Sequence, residues 1–144
     1  MKVLIDTCII IDALQTRGDF FDDAQNVLIA AANGEYKGII ASKAILDIYY
    51  IIHRYTKDDY TTRNYISKIL ALFEVCDTTS KCIEDALVSK MHDYEDAVMS
   101  ATASDVGADY IVTRNIKDYK CSAVKAIKPQ DLLMLLDGQQ GENN

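Results

Sequence analysis

Two apolar runs in this chain stop at polar clusters, and between them lies a helix that opens in acid. Val3-Leu4-Ile5 ends at Asp6-Thr7, and Tyr110-Ile111-Val112 ends at Thr113-Arg114-Asn115, with Asp118 just beyond. The acid opening is Asp93-Tyr94-Glu95-Asp96, followed by the small residues Ala97, Ala101 and Ala103. Short apolar strands alternating with helices build parallel sheets covered on both faces. Such sheets bind ligands outside the carboxyl ends of their strands. The pattern therefore gathers carboxylates at one edge of an α/β domain.

The spacing predicts strands over Val3–Asp6, Gly38–Ala41, Tyr110–Thr113 and Val124–Ile127. Helices are expected over Cys8–Leu14, Asp19–Ala32, Ser42 to about Tyr55, Asp59–Phe73, Ser80–Lys90, from Asp93 onward, and over Leu132–Leu136. Asp19 and Ser42 read as N-caps, and Asp93-x-x-Asp96 resembles a capping box with Asp in place of Glu. Gly34 and Gly107 read as helix stops. With 144 residues, 49% of them hydrophobic, the chain can bury one real core. The expectation is a single domain over 1–137 and a polar, flexible tail over 138–144.

The apolar start is cut by Asp6 and Asp12 and lacks a small-residue cleavage site, so no secretory signal is read there. No uninterrupted apolar stretch reaches the roughly 18 residues of a membrane span. Cys8, Cys76, Cys82 and Cys121 form no CxxC pair and no zinc spacing. They read as free buried thiols of a reducing cytoplasm.

Asp6, Asp47, Asp96 and Asp118 are the candidate site acids. Each has a local alternative. Asp6 could cap the helix that follows it, and Asp96 could favour a helix dipole. Asp118 could belong to a turn. Asp47 stands at a helix-interior position where Asp has poor propensity; an ion pair with Lys43 one turn earlier is its local account. Together they say more than singly. Ionised carboxylates about 5 Å apart repel by roughly 3 kcal/mol per pair at an effective dielectric of 20. A fold keeps such a group only with cations or protonation. Carboxylate oxygens without a Cys/His set suit Mg²⁺ or Mn²⁺, which can activate water and steady the leaving oxygen of a phosphodiester.

The net charge of −7 argues on its face against nucleic acid. That argument weakens because the four candidate acids supply four of the seven net negative charges. Thr113 is a candidate to hold a phosphate oxygen or a water, and Arg114 to bind phosphate, with a surface ion pair as its alternative. His53 reads as packing or surface, and His92 offers little beyond a general-base role. Tyr49, Tyr50, Tyr55 and Tyr60 could stack on bases but read first as core or rim residues.

Taken together, Val3-Leu4-Ile5-Asp6-Thr7, Leu46-Asp47-Ile48-Tyr49-Tyr50, Asp93-Tyr94-Glu95-Asp96-Ala97 and Tyr110-Ile111-Val112-Thr113-Arg114-Asn115, followed by Lys117-Asp118-Tyr119, resemble the PIN-domain family of Mg²⁺/Mn²⁺-dependent ribonucleases. The resemblance extends over about residues 1–137. It implies a three-layer α/β/α sandwich around a parallel sheet of four to five strands, with an acidic pocket for one or two divalent ions. It makes Asp6 and Asp96 the principal metal ligands, with Asp47 and Asp118 completing the catalytic acids. Asp47 stands where the family usually has Glu, so a water-mediated contact is expected from its shorter side chain. Asn115 stands where many members have Asp; it keeps an acceptor oxygen but no charge, and passes the fourth acidic role to Asp118. Thr113 would support the site by hydrogen bonding, and Thr113, Arg114 and Asn115 form the expected substrate-binding group.

Small members of the family resemble VapC-type toxins of toxin–antitoxin pairs. The resemblance thus implies an RNA substrate, a small antitoxin partner and a homodimer. The leading expectation is a metal-dependent endoribonuclease. The alternative is a catalytically impaired RNA-binding or antitoxin-binding protein, prompted by Asp47 and Asn115. A phosphatase or phosphotransfer domain is disfavoured, because Thr7-Cys8 follows Asp6 where an Asp-x-Asp pair would be needed.

Overall fold

The computed structural model describes residues 1–16 and 18–142. Five strands, β1 (Lys2–Ile5), β2 (Lys37–Ala41), β3 (Glu74–Cys76), β4 (Tyr110–Val112) and β5 (Lys125–Ile127), form one sheet in the order β3-β2-β1-β4-β5. Every neighbouring pair is parallel. The helices are α1 (Thr7–Leu14), α2 (Phe21–Ala32), α3 (Ser42–Thr56), α4 (Asp59–Leu72), α5 (Ser80–Leu87), α6 (Tyr94–Asp105) and α7 (Pro129–Glu142). They flank the sheet as the expected α/β/α sandwich. No described helix is long and apolar enough to cross a membrane.

Central strands must be apolar on both faces, and they are. Val3, Leu4, Ile5, Ile39, Ile40, Ile111 and Val112 are essentially inaccessible to water. The helices pack in two groups. In one, α4, α3, α1, α2 and α7 touch in that order; in the other, α5 packs on α6. The second group has its own small apolar cluster of Ala86, Ala97 and Val98. Ala97 of α6 thus serves a close helix pair, whereas Ala103 packs in the main core.

β2 begins beside a tight contact. A Cβ on Gly38 would stand 2.5 Å from Cδ1 of Phe73, which is itself buried. Gly38→Ala is expected to cost about 1–3 kcal/mol by overpacking. It should lower the urea midpoint without changing the slope of the transition.

Several local expectations change. β3 has no counterpart in the sequence reading: it is three residues long, and Val75 is 40% exposed, so no periodicity marks it. Ser42 is the first residue of α3 and Ala41 is its N-cap, without a side-chain bond. Asp19 lies in a 3₁₀ turn, Gly18–Phe20, ahead of α2. α5 stops at Leu87 instead of Lys90 and is capped by Thr79, which accepts from the Cys82 N–H. α7 spans Pro129–Glu142, well beyond Leu132–Leu136. It takes up most of the segment expected to be a tail; residues 143 and 144 lie outside the described residues. The N-cap half of the capping box forms: the Asp93 carboxylate accepts from the Asp96 N–H at 2.9 Å, while the Asp96 carboxylate accepts from Tyr119.

A candidate active site at the carboxyl edge of the sheet

The chain runs outward from β1 to β2 and β3, then crosses back to β4 and β5 on the other side. The carboxyl ends of β1 and β4 therefore flank the topological switch point, where a parallel sheet opens a crevice. Ile5 pairs with Val112. Beyond them the Asp6 N–H donates to the Val112 carbonyl, and the Thr113 N–H to that of Ile127, both at 3.0 Å. This register sets Asp6 beside Thr113.

Thr113 is fully buried, and its hydroxyl donates to Asp6 Oδ2 at 2.7 Å. The same hydroxyl accepts the Asn115 N–H at 3.1 Å. The Cys8 thiol lies 3.5 Å from Asp6 Oδ2 and donates to it. Burial, and then the Asp6 charge, push that thiol up to about 11, so it remains protonated at neutral pH. One oxygen of Asp6 is thus held by two side chains from different elements.

Asp96 lies in the first turn of α6. Its Oδ1 accepts from the hydroxyl of buried Tyr119 at 3.2 Å. Burial raises its carboxyl to about 6, and the nearby charges of Asp93, Asp6 and Asp118 push the same way. The structure thus brings Asp6, Asp96 and Asp118 within electrostatic reach of one another, although they are far apart in the chain. Asp6, Asp47 and Asp96 line one cleft of about 310 Å³, together with Lys43, Glu95 and Tyr50. Asp118 is exposed in the 3₁₀ turn Ile116–Tyr119.

The other expected residues take different places. Asp47 pairs with Lys43 at 3.2 Å, and the same ammonium lies 3.6 Å from Glu95. Arg114 is engaged away from phosphate: its Nε lies 2.5 Å from Oδ2 of the fully buried Asp12, and its guanidinium stacks 4.3 Å above the Phe20 ring. The ion-pair alternative is what forms, and it is buried on the Asp12 side. Thr113 likewise faces Asp6 from a position closed to solvent, so its contact is with a carboxylate instead of a substrate. Asn115 is exposed at the start of the 3₁₀ turn. His53 stacks on Tyr49, with ring centroids 5.5 Å apart, and His92 is exposed. All four cysteines are free, and Cys121, read as buried from the sequence, is exposed.

Sequence reasoning missed Cys8, Tyr119 and Asp12 as partners of this edge. Tyr119 could have been found from its place directly after Lys117-Asp118. Asp12 carried a weaker sign: an acid inside the apolar helix Cys8–Leu14.

Hard oxygen donors are the right chemistry for Mg²⁺ or Mn²⁺. Among the described residues, no three or more His, Cys, Asp or Glu side chains are grouped to hold a metal ion. Mg²⁺ keeps several waters and usually takes only one or two carboxylates. Asp6 and Asp96 are oxygen donors that fit that habit.

Fold and cleft define a parallel α/β domain with carboxylates at its switch point. A family model described as PIN domain matches residues 2–117, and the chain belongs to that family. VapBC2 from Rickettsia felis, solved bound to a DNA fragment from its promoter, is 18% identical with a TM-score of 0.66, over 89% of this chain and 98% of that one. A toxin–antitoxin complex from Klebsiella pneumoniae is 21% identical with a TM-score of 0.66, over 88% and 97%. VapC20 from Mycobacterium tuberculosis, a sarcin-ricin-loop-cleaving toxin, is 13% identical with a TM-score of 0.58, over 76% and 86%. At these identities the likeness is one of fold. No curated protein is significantly similar in sequence.

Proposed function

We propose that this chain is a Mg²⁺- or Mn²⁺-dependent endoribonuclease, the toxin of a toxin–antitoxin pair. The observation that carries the reading is the meeting of Asp6, Asp47 and Asp96 in one cleft at the switch point of a PIN fold. A divalent ion, when bound, would supply charge neutralisation at phosphorus and a water of lowered pKa. Asp6 and Asp96 would hold it. Thr113 and Cys8 fix one oxygen of Asp6, leaving the other for the ion, and Tyr119 fixes the rotamer of Asp96. Such outer partners usually matter about 10–100-fold in metal affinity or activity. Asp47, shared with Lys43, contributes negative potential to the cleft and can reach the ion through water. Asp118 adds charge from the rim.

The antitoxin is inferred from fold relatives solved as VapBC or toxin–antitoxin complexes. RNA as substrate draws support from VapC20, which cleaves the sarcin-ricin loop. A homodimer, read from the family resemblance, is checked by light scattering on the purified chain.

Fluorescent RNA incubated in Mg²⁺ or Mn²⁺ should be cut, and EDTA should stop the cutting. Cleavage that ignores the chelator sinks the metal mechanism. A second reading, a protein that binds RNA or an antitoxin without turnover, rests on Asp47, held by Lys43, and on the uncharged Asn115. RNA captured intact in both metals would select it.

A further inference from the structure

A nuclease must neutralise phosphate as well as hold its acids, and the cleft leaves few groups for that task. Arg114, the residue the sequence nominates, has its guanidinium on Asp12 and Phe20. Among the described residues that line the cleft, Lys43 alone carries positive charge. It stands in the first turn of α3 and reaches Asp47 at 3.2 Å and Glu95, on α6, at 3.6 Å. Its ammonium thus bridges the two helical walls of the cleft.

These pairs are loose. The Lys43 side chain is 33% exposed, that of Asp47 46% and that of Glu95 76%. Ion pairs so open to water are weak and are screened by salt. A lysine ammonium on a four-carbon stem reorients easily and binds phosphate as a point charge. From the geometry we infer that Lys43 is the phosphate-binding residue of the cleft. It screens Asp47 and Glu95 in the free protein and pairs with a backbone phosphate of single-stranded RNA when the strand enters. This rests on the ribonuclease reading above.

The test is the salt dependence of RNA binding. A fluorescein-labelled single-stranded RNA is titrated in Ca²⁺ across a sodium chloride series, with intactness checked on gels. Lys43→Met removes the charge and keeps the length; Lys43→Gln does so independently, and Lys43→Arg restores it. Lys37→Met is the control for net charge, since Lys37 lies at the amino end of β2, paired with Glu74 at 2.8 Å. One phosphate contact on a single strand contributes about 0.7 to the slope of log affinity against log salt. Lys43→Met and Lys43→Gln should each lower the slope by about that amount, while Lys43→Arg and Lys37→Met match wild type. A structural role alone would not move the slope. Wild-type slopes in both neutral variants, or an equal loss in Lys37→Met, overturn the assignment while leaving the nuclease reading intact. Absence of RNA binding by wild type at any salt overturns both.

Discussion

Asp96→Asn should lower Mg²⁺-dependent RNA cleavage by about a thousandfold or more, equivalent to about 4 kcal/mol in the barrier. In EDTA at pH 8 the same variant should unfold at a higher temperature than wild type. The two effects share one cause. Burial, reinforced by Asp93, Asp6 and Asp118, raises the Asp96 carboxyl from 3.8 to about 6. The native state therefore holds that proton more tightly than the unfolded chain. Between about pH 4 and pH 6 the native protein binds the extra proton, so this residue's contribution to stability falls as pH rises through that window. Above it the full cost of the bare carboxylate remains, and asparagine removes that cost. Asp58, Asp59 and Glu74 sit below their ordinary values and act in the opposite direction with pH. The readout is therefore the difference between variant and wild type. It should be largest above pH 6, close near pH 4, and reverse when saturating Mn²⁺ stabilises only the wild type. A variant that cleaves normally, or whose stability tracks wild type at every pH in EDTA, would contradict the role given to Asp96.

Arg114→Met should be the most destabilising single change at the carboxyl edge. It removes the guanidinium partner of the Asp12 carboxylate, which is 0% exposed. Removing one partner of a buried pair costs about 3–5 kcal/mol, whereas replacing both with apolar side chains is often close to neutral. Asp12→Leu/Arg114→Met should therefore recover most of the stability lost by Arg114→Met, a coupling visible in a double-mutant cycle by urea unfolding. The pair ties α1 to the segment just after Thr113, whose hydroxyl holds Asp6. A folded double variant should still cut RNA. Loss of cleavage there would return Arg114 to the phosphate-binding role its sequence position suggests.

Much of the fold is legible in the amino-acid sequence. β1, β2 and β4 were readable because central strands of a covered sheet are continuous apolar runs ending at polar residues, and β5, a border strand, because Val124 to Ile127 precedes the break at Pro129. The convergence of Asp6 and Asp96 on one edge was readable because each stands where a strand ends or a helix begins. β3 was not, because Glu74-Val75-Cys76 has two exposed residues out of three and so shows neither an apolar run nor a period. The fate of Arg114 was hidden because its partner, Asp12, sits a hundred residues earlier inside an apolar helix. Only packing brings the two together. Asp47 lay between these cases: its pair with Lys43 follows from helical spacing, but the reach to Glu95 depends on how α3 faces α6.

The sheet's two borders, β3 and β5, are only three residues long. A longer border would present a row of free amide and carbonyl groups to a passing chain. Borders this brief give a newcomer little to zip onto. The domain can keep a strongly apolar interior ribbon and still resist joining its neighbours, strand by strand, into fibrils as its concentration rises.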